Sequence, residues 1–293
     1  MRRAGNPRNL GRTGAAAWAL LTLAMSTVAA AHGQVPGVDE TDMSPRTNAA
    51  PTTATARGFL YRTVVSGGKT YAYNVFIPPT YNADRPWPTI LFLHGSGERG
   101  NDGFFQTEVG IGRTLRRNHG MIPAIVVMPQ CPQGKTWNDP EIAKMALDAL
   151  EDVSKTYRVD EKRLYLTGLS LGGRGCWYIA ARTKGAFAAV LPICGGGDPK
   201  DAAKLTNVPI WAHHGTEDKN VPIAETQRIV DAVEAAGGDV RFTRIAGADH
   251  VIWDRVYGDP KVWQWLFAQE RGGGSGGKSP KKPRTARSRS ADK

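Results

Sequence analysis

Cysteine is scarce: Cys131, Cys176 and Cys194 are the only three in 293 residues. An odd count without metal-type spacing gives no support to a disulfide-built scaffold or a zinc site. One disulfide with a free thiol, or three buried thiols, remain open. Long apolar runs are equally rare. Ala15–Ala31 is the single candidate, and no other stretch is long enough to cross a bilayer. Net charge is missing from the middle of the chain. Residues 1–33 hold four arginines and no acid, and residues 271–293 hold eight basic side chains and one acid. That leaves 26 basic and 26 acidic groups between Gln34 and Glu270, so the total of +11 belongs to the ends. No nucleic acid is expected on the folded body, which has no basic excess to attract one.

The two ends read as processing and tail segments. Arg2, Arg3, Arg8 and Arg12 precede the apolar stretch, which closes on Ala29-Ala30-Ala31. This is the three-part layout of a secretory signal over residues 1–31, placing the mature protein outside the cytoplasm, secreted or periplasmic. An uncleaved anchor is the competing reading. Residues 32–57 carry Thr, Ala, Pro and Asp without periodicity and read as a disordered linker. Residues 271–293 form a basic Gly/Ser/Lys/Arg tail. It reads first as a solvated charged end, with attachment to an anionic polymer or surface as the second reading.

Between them, residues 58–270 alternate regularly. With 41% hydrophobic residues in the whole chain, a sizeable core can be buried. Phe59–Val65 and Thr70–Ile77 flank Ser66-Gly67-Gly68-Lys69, the pattern of a β-hairpin. Apolar runs at Thr89–Leu93, Ala124–Met128, Leu164–Thr167, Phe187–Ile193, Val208–His213 and Val240–Ile245 predict strands. Helices are expected over Glu141–Tyr157, Leu171–Arg182, Pro222–Ala236 and Pro260–Gln269. An antiparallel hairpin followed by β-α units implies an α/β fold, its mostly parallel sheet covered by helices on both faces. Ligands of such sheets bind beyond the carboxyl ends of the strands, so the residues just after each strand carry the chemistry.

One of those turns is Gly168-Leu169-Ser170-Leu171-Gly172, a G-x-S-x-G between a predicted strand and a predicted helix. A serine there is held above the sheet edge, and the glycines leave room for neighbouring backbone. Serine needs a base, and the base needs an orienting acid. In chain order Ser, acid, His, the candidates are Ser170, Asp218 and His250, each on a loop after a strand. Glu217 and Asp249 are decoys beside them. His94, His119, His213 and His214 precede the required position, and His213 and His214 are expected to hold backbone at a strand end. An oxyanion needs N–H donors. Leu171 supplies one, and Ser96 in His94-Gly95-Ser96-Gly97-Glu98-Arg99-Gly100 is the candidate for the other. Trp137 is a pocket candidate or a packed surface aromatic. Arg99 and Glu98 either touch substrate or pair with each other. No metal site and no organic cofactor are implied.

Leu91–Gly100, Pro129-Gln130-Cys131-Pro132, Gly168–Gly173, His214–Asp218 and His250 together resemble an α/β-hydrolase of the secreted carboxylesterase type. The resemblance is to polyhydroxybutyrate depolymerases, feruloyl esterases and phospholipase/carboxylesterase relatives, some labelled peptidases of the prolyl-oligopeptidase kind. It spans about Gly58 to Gln269. It implies a serine hydrolase that cleaves a small-molecule or polymeric carboxylic ester through an acyl-enzyme, with a serine peptidase as the alternative. Only Cys194–Asn207 separates two predicted strands where lidded lipases insert a cap, so no large lid is expected.

Overall fold

The computed structural model describes residues 56–272. The expected signal segment, the linker up to Thr55 and the basic tail beyond Gly272 lie outside the described residues. β1 (Gly58–Ser66) and β2 (Lys69–Ile77) form the hairpin, with Ser66 opposite Lys69. Gly67 and Gly68 have φ of 56° and 77°, the left-handed conformation that a two-residue hairpin turn demands. The remaining strands are β3 (Trp87–Leu93), β4 (Ile125–Pro129), β5 (Val159–Leu169), β6 (Ala189–Ile193), β7 (Ile210–Gly215) and β8 (Val240–Ile245). Their order across one eight-stranded sheet is β1-β2-β4-β3-β5-β6-β7-β8. The hairpin joins antiparallel through β2 and β4, and β3 to β8 run parallel.

Each strand splits its side chains between two cores by the period of two. Leu91, Leu93, Ile125, Val127, Ile210 and Ala212 pack into one core. Ile90, Phe92, Val126, Met128, Leu191 and Trp211 pack into the other. Helices close both sides. α2 (Pro140–Thr156), α3 (Leu171–Ala180) and α4 (Ile223–Ala235) cover the first core, supplying Met145, Trp177 and Val230. α1 (Ile111–Arg117), α5 (Trp253–Tyr257) and α6 (Pro260–Phe267) cover the second, supplying Leu115, Val256 and Trp263. Pro140 and Pro260 open α2 and α6, where a missing N–H costs nothing, and the Asp259 carboxylate accepts from Lys261 N–H as a cap. Among the described residues, the β6–β7 connection holds one short 3₁₀ helix, Pro199–Lys204, and no inserted cap.

The elements predicted from sequence are present, with shifted ends. β5 starts at Val159 rather than Leu164, because Asp160-Glu161-Lys162-Arg163 hides the strand behind four charged residues. Two helices were not foreseen. α1 has seven residues with a glycine inside, and α5 has five, so neither completes a legible apolar stripe. All three cysteines are buried free thiols, which settles the open choice against a disulfide.

Trp263 shows what this packing contributes. Its ring is buried in the second core, stacked against Tyr257 and Phe267, and its indole N–H donates to Tyr257 O at 2.8 Å. Trp263→Ala should cost about 3–5 kcal/mol of stability in urea titration. A loss under about 1 kcal/mol would mean that this side of the sheet is not held by α6.

Candidate active site

Ser170 is the one residue between the end of β5 and the start of α3, and its backbone shows the consequence. Its φ is 54° and ψ −114°, a conformation that L-residues other than glycine rarely adopt. Surrounding bonds over-determine it: Ser170 N–H donates to Ile193 O at 2.8 Å, and Arg174 N–H donates to Ser170 O at 3.1 Å. Space is equally constrained. A Cβ on Gly172 would lie 1.9 Å from Leu93 O, and one on Gly173 2.4 Å from Ile193 O. One on Gly168 would lie 2.6 Å from Gly172 O. The helix thus enters against the ends of β3 and β6 at a distance only glycine permits.

Three side chains converge at this edge. His250, on the loop after β8, has Nε2 2.9 Å from Ser170 Oγ. Its Nδ1 lies 2.6 Å from Asp218 Oδ2, on the loop after β7. With Asp218 ionised, Nδ1 carries the proton and Nε2 presents its lone pair to the serine hydroxyl. Burial pushes the Asp218 carboxyl upward, but the N–H of Val221, the His250 imidazole and the N–H of Asn220 outweigh it and hold it below its ordinary value. The side chain is fully enclosed. The decoys point elsewhere. Glu217 is exposed with its N–H on Ala248 O, and the exposed Asp249 carboxylate accepts from Val251 N–H.

The candidate anion site lies opposite. Leu171 opens α3, and Ser96 opens the 3₁₀ turn Ser96–Glu98 that follows β3. A Cβ on Gly95 would sit 3.6 Å from Ser170 Cβ, so this loop passes directly over the serine. His94 holds it there. Its Nε2 accepts from Cys131 N–H at 2.9 Å, so the ring proton is on Nδ1 and is donated to Gly95 O at 2.6 Å. Burial lowers its pKa to about 4, keeping the ring neutral in that tautomer. Gln130 completes the clamp: its amide donates to Glu98 O and Asp102 Oδ2, and its carbonyl accepts from Gly103 N–H. Two sequence motifs that looked independent, His94–Gly100 and Pro129–Pro132, are one hydrogen-bonded unit.

The pocket candidates fare unequally. Trp137 is neither a pocket wall nor a surface aromatic: it is completely buried, donating to His94 O at 2.9 Å with its ring edge-on to the His94 ring. It supports the loop from beneath. Arg99 and Glu98 do not pair, since among the described residues no ion pair joins them. Glu98 is partly buried, which raises its carboxyl, and it turns back toward the Gly95 N–H. Arg99 lies beside Cys131, its Nε buried without a hydrogen-bond partner. Sequence reasoning missed two apolar neighbours of His250: Val251, exposed, and Trp253, whose ring meets the His250 ring edge-on at 5.6 Å. Both follow His250 directly, which was the available signal.

Cys194, His214 and Asp218 bring one potential metal-ligand atom each within 4.8 Å of one another. The donor set fits an ion poorly. Asp218 Oδ2 is already committed to His250, and burial pushes the Cys194 thiol up to about 12, so it keeps its proton. That thiol donates to His250 O at 3.2 Å.

His94 and His213 set an acid limit on the fold. Burial lowers both to about 4, from about 6.5 in an open chain. Between those values the unfolded chain takes up protons that the folded chain refuses, so stability present above pH 6.5 should drain as pH falls toward 4. The check is the urea midpoint across that window. A flat profile contradicts the burial of neutral imidazoles.

Residues 128–255 match the model of the dienelactone hydrolase family. A bifunctional acetylxylan esterase/xylanase of Neocallimastix patriciarum is 30% identical over 45% of this chain and 19% of that protein. Feruloyl esterase B of Piromyces equi is 27% identical over 50% of this chain and 29% of its own. The chain therefore spans less than a third of these curated relatives. A solved thermostable esterase superposes with a TM-score of 0.65 at 33% identity, covering 73% of this chain and 63% of that one. Sheet order, the strained serine turn and these likenesses agree: the chain has the α/β-hydrolase fold, and its residues 128–255 are similar to the dienelactone hydrolase family.

Proposed function

We propose that the protein is a secreted serine esterase that cleaves carboxylic esters through an acyl-enzyme. The observation that carries this reading is the unbroken line from Ser170 Oγ to His250 Nε2 and from His250 Nδ1 to Asp218 Oδ2. Ser170 Oγ attacks the ester carbonyl while His250 takes its proton, and Asp218 stabilises the imidazolium that forms. The oxyanion develops beside the N–H groups of Leu171 and Ser96. His250 returns the proton to the departing alcohol, and a water activated by the same imidazole releases the acid. Secretion rests on the signal layout of residues 1–31. The two curated relatives act, by name, on acetylxylan and as a feruloyl esterase, which supports acetyl or feruloyl esters as the substrate class.

Ser170→Ala should lower turnover of an activated acetyl ester on the order of 10⁴-fold, with thermal stability little changed. The wild type should hydrolyse acetyl and feruloyl esters at least about 10²-fold faster, by kcat/KM, than matched amides. A folded, active Ser170→Ala enzyme would remove the nucleophile assignment. Faster cleavage of the amide would replace the esterase by a peptidase.

A further inference from the structure

His213 and His214 look interchangeable in the sequence, yet β7 sends them to opposite faces of the sheet. His213 lies against Trp211 on the side of α5 and α6, its Nδ1 without a partner. His214 points toward α4 and the acid of the triad. Its side chain is fully buried, with Nδ1 2.8 Å from Thr226 Oγ1. Nε2 is 2.9 Å from Val221 O and 3.0 Å from Asp218 Oδ2. A lone pair on Nε2 would face two negative oxygens, so the proton resides there. Burial keeps the ring neutral by lowering its pKa. Nδ1 is then an acceptor, and the Thr226 hydroxyl donates to it rather than to Gly195 O at 3.1 Å.

This places His214 at the hinge of the acid loop. Asp218 Oδ1 accepts from the N–H of Asn220 at 2.9 Å and of Val221 at 2.8 Å. His214 grips the same turn through the Val221 carbonyl. Asp218 Oδ2, 2.6 Å from His250 Nδ1, has the polar edge of the second imidazole on its other side. The remaining titratable group near Asp218, the Cys194 thiol at the end of β6, stays protonated and brings no charge.

Resting on the Ser170–His250–Asp218 reading, we propose that His214 is a positioning residue for ester hydrolysis. Its Nε2–H pins the Asp218–Val221 turn and shares the field of Asp218 Oδ2 with His250, holding that oxygen where it fixes the His250 tautomer. The role differs from that of a histidine merely filling a strand end, because it requires a donor at Nε2 and not only a ring.

The test compares His214→Phe, which keeps the ring and removes both nitrogens, with His214→Gln, which restores an N–H donor. His214→Phe should lower kcat for an acetyl ester about tenfold or more with KM within about twofold, the scale of one charge-assisted hydrogen bond felt mainly in the transition state. His214→Gln should recover kcat to within about threefold of wild type on the same scale. The downfield proton resonance of His250 Nδ1–H should weaken or move in His214→Phe and return in His214→Gln. Should His214→Phe fail to fold, Thr226→Val takes its place, with a kcat loss of about threefold expected from a freed His214 ring. Wild-type kcat in folded His214→Phe, or in Thr226→Val where it stands in, overturns the proposal, as do equal kcat losses in Phe and Gln. Ser170→Ala run alongside separates the two claims. Activity in that variant means the triad reading has failed, whereas an inactive Ser170→Ala beside a fully active His214→Phe removes the His214 role alone.

Discussion

Between Leu169 and Leu171 the chain must turn from a central strand into a helix within a single residue, and the cost falls on Ser170. A φ of 54° is affordable for serine only because the turn has no alternative. Ser170 N–H is tied to Ile193 O at the end of β6, and α3 is pressed against Leu93 O by the absence of a Cβ on Gly172. The same contacts that impose the strain set the frame of the candidate site. They bring β3, β5 and β6 to a common level, so the loops that follow them meet above the serine. The candidate oxyanion loop leaves β3, and the buried Cys194 leaves β6 to touch the backbone of His250.

Around that turn the polar groups are arranged in two clamps of similar design. On one side His94 and Gln130 hold the Gly95–Gly103 loop, with Trp137 beneath. On the other, His214 and the backbone of Asn220 and Val221 hold Asp218. In each clamp a buried neutral imidazole has one tautomer dictated by its partners, so it acts as a fixed donor. Buried polar groups of this kind rigidify a site because any alternative rotamer leaves an orphan. Catalysis by preorganised dipoles requires that rigidity.

Much of this was legible from residues alone. Glycines at 168, 172 and 173 mark close backbone approach, and the β-α alternation locates every loop at the reacting edge. Chain order picks Ser170, Asp218 and His250 as candidates, and the structure brings the three side chains into one hydrogen-bonded line. What escaped was what depends on contacts between distant segments. Trp137 reads as a surface or pocket aromatic because nothing in its neighbourhood reveals that β3 and its loop cover it. His213 and His214 read alike because the face each takes depends on where β7 lies in the sheet. α1 and α5 are too short for periodicity to register, and they are fixed by tertiary packing in the second core, where Tyr257 of α5 meets Phe92 edge-on.

The central claim is that Ser170 is the nucleophile, activated through His250. Covalent trapping reads this directly. The purified protein is treated with an aryl alkylphosphonate, which phosphonylates an activated serine and expels the aryl alcohol, and is then mapped by peptide mass spectrometry. A single adduct on the peptide containing Ser170, formed fast in the wild type and lost in His250→Ala, is the predicted result. An adduct on another residue, or equal labelling of Ser170 without His250, would contradict the account.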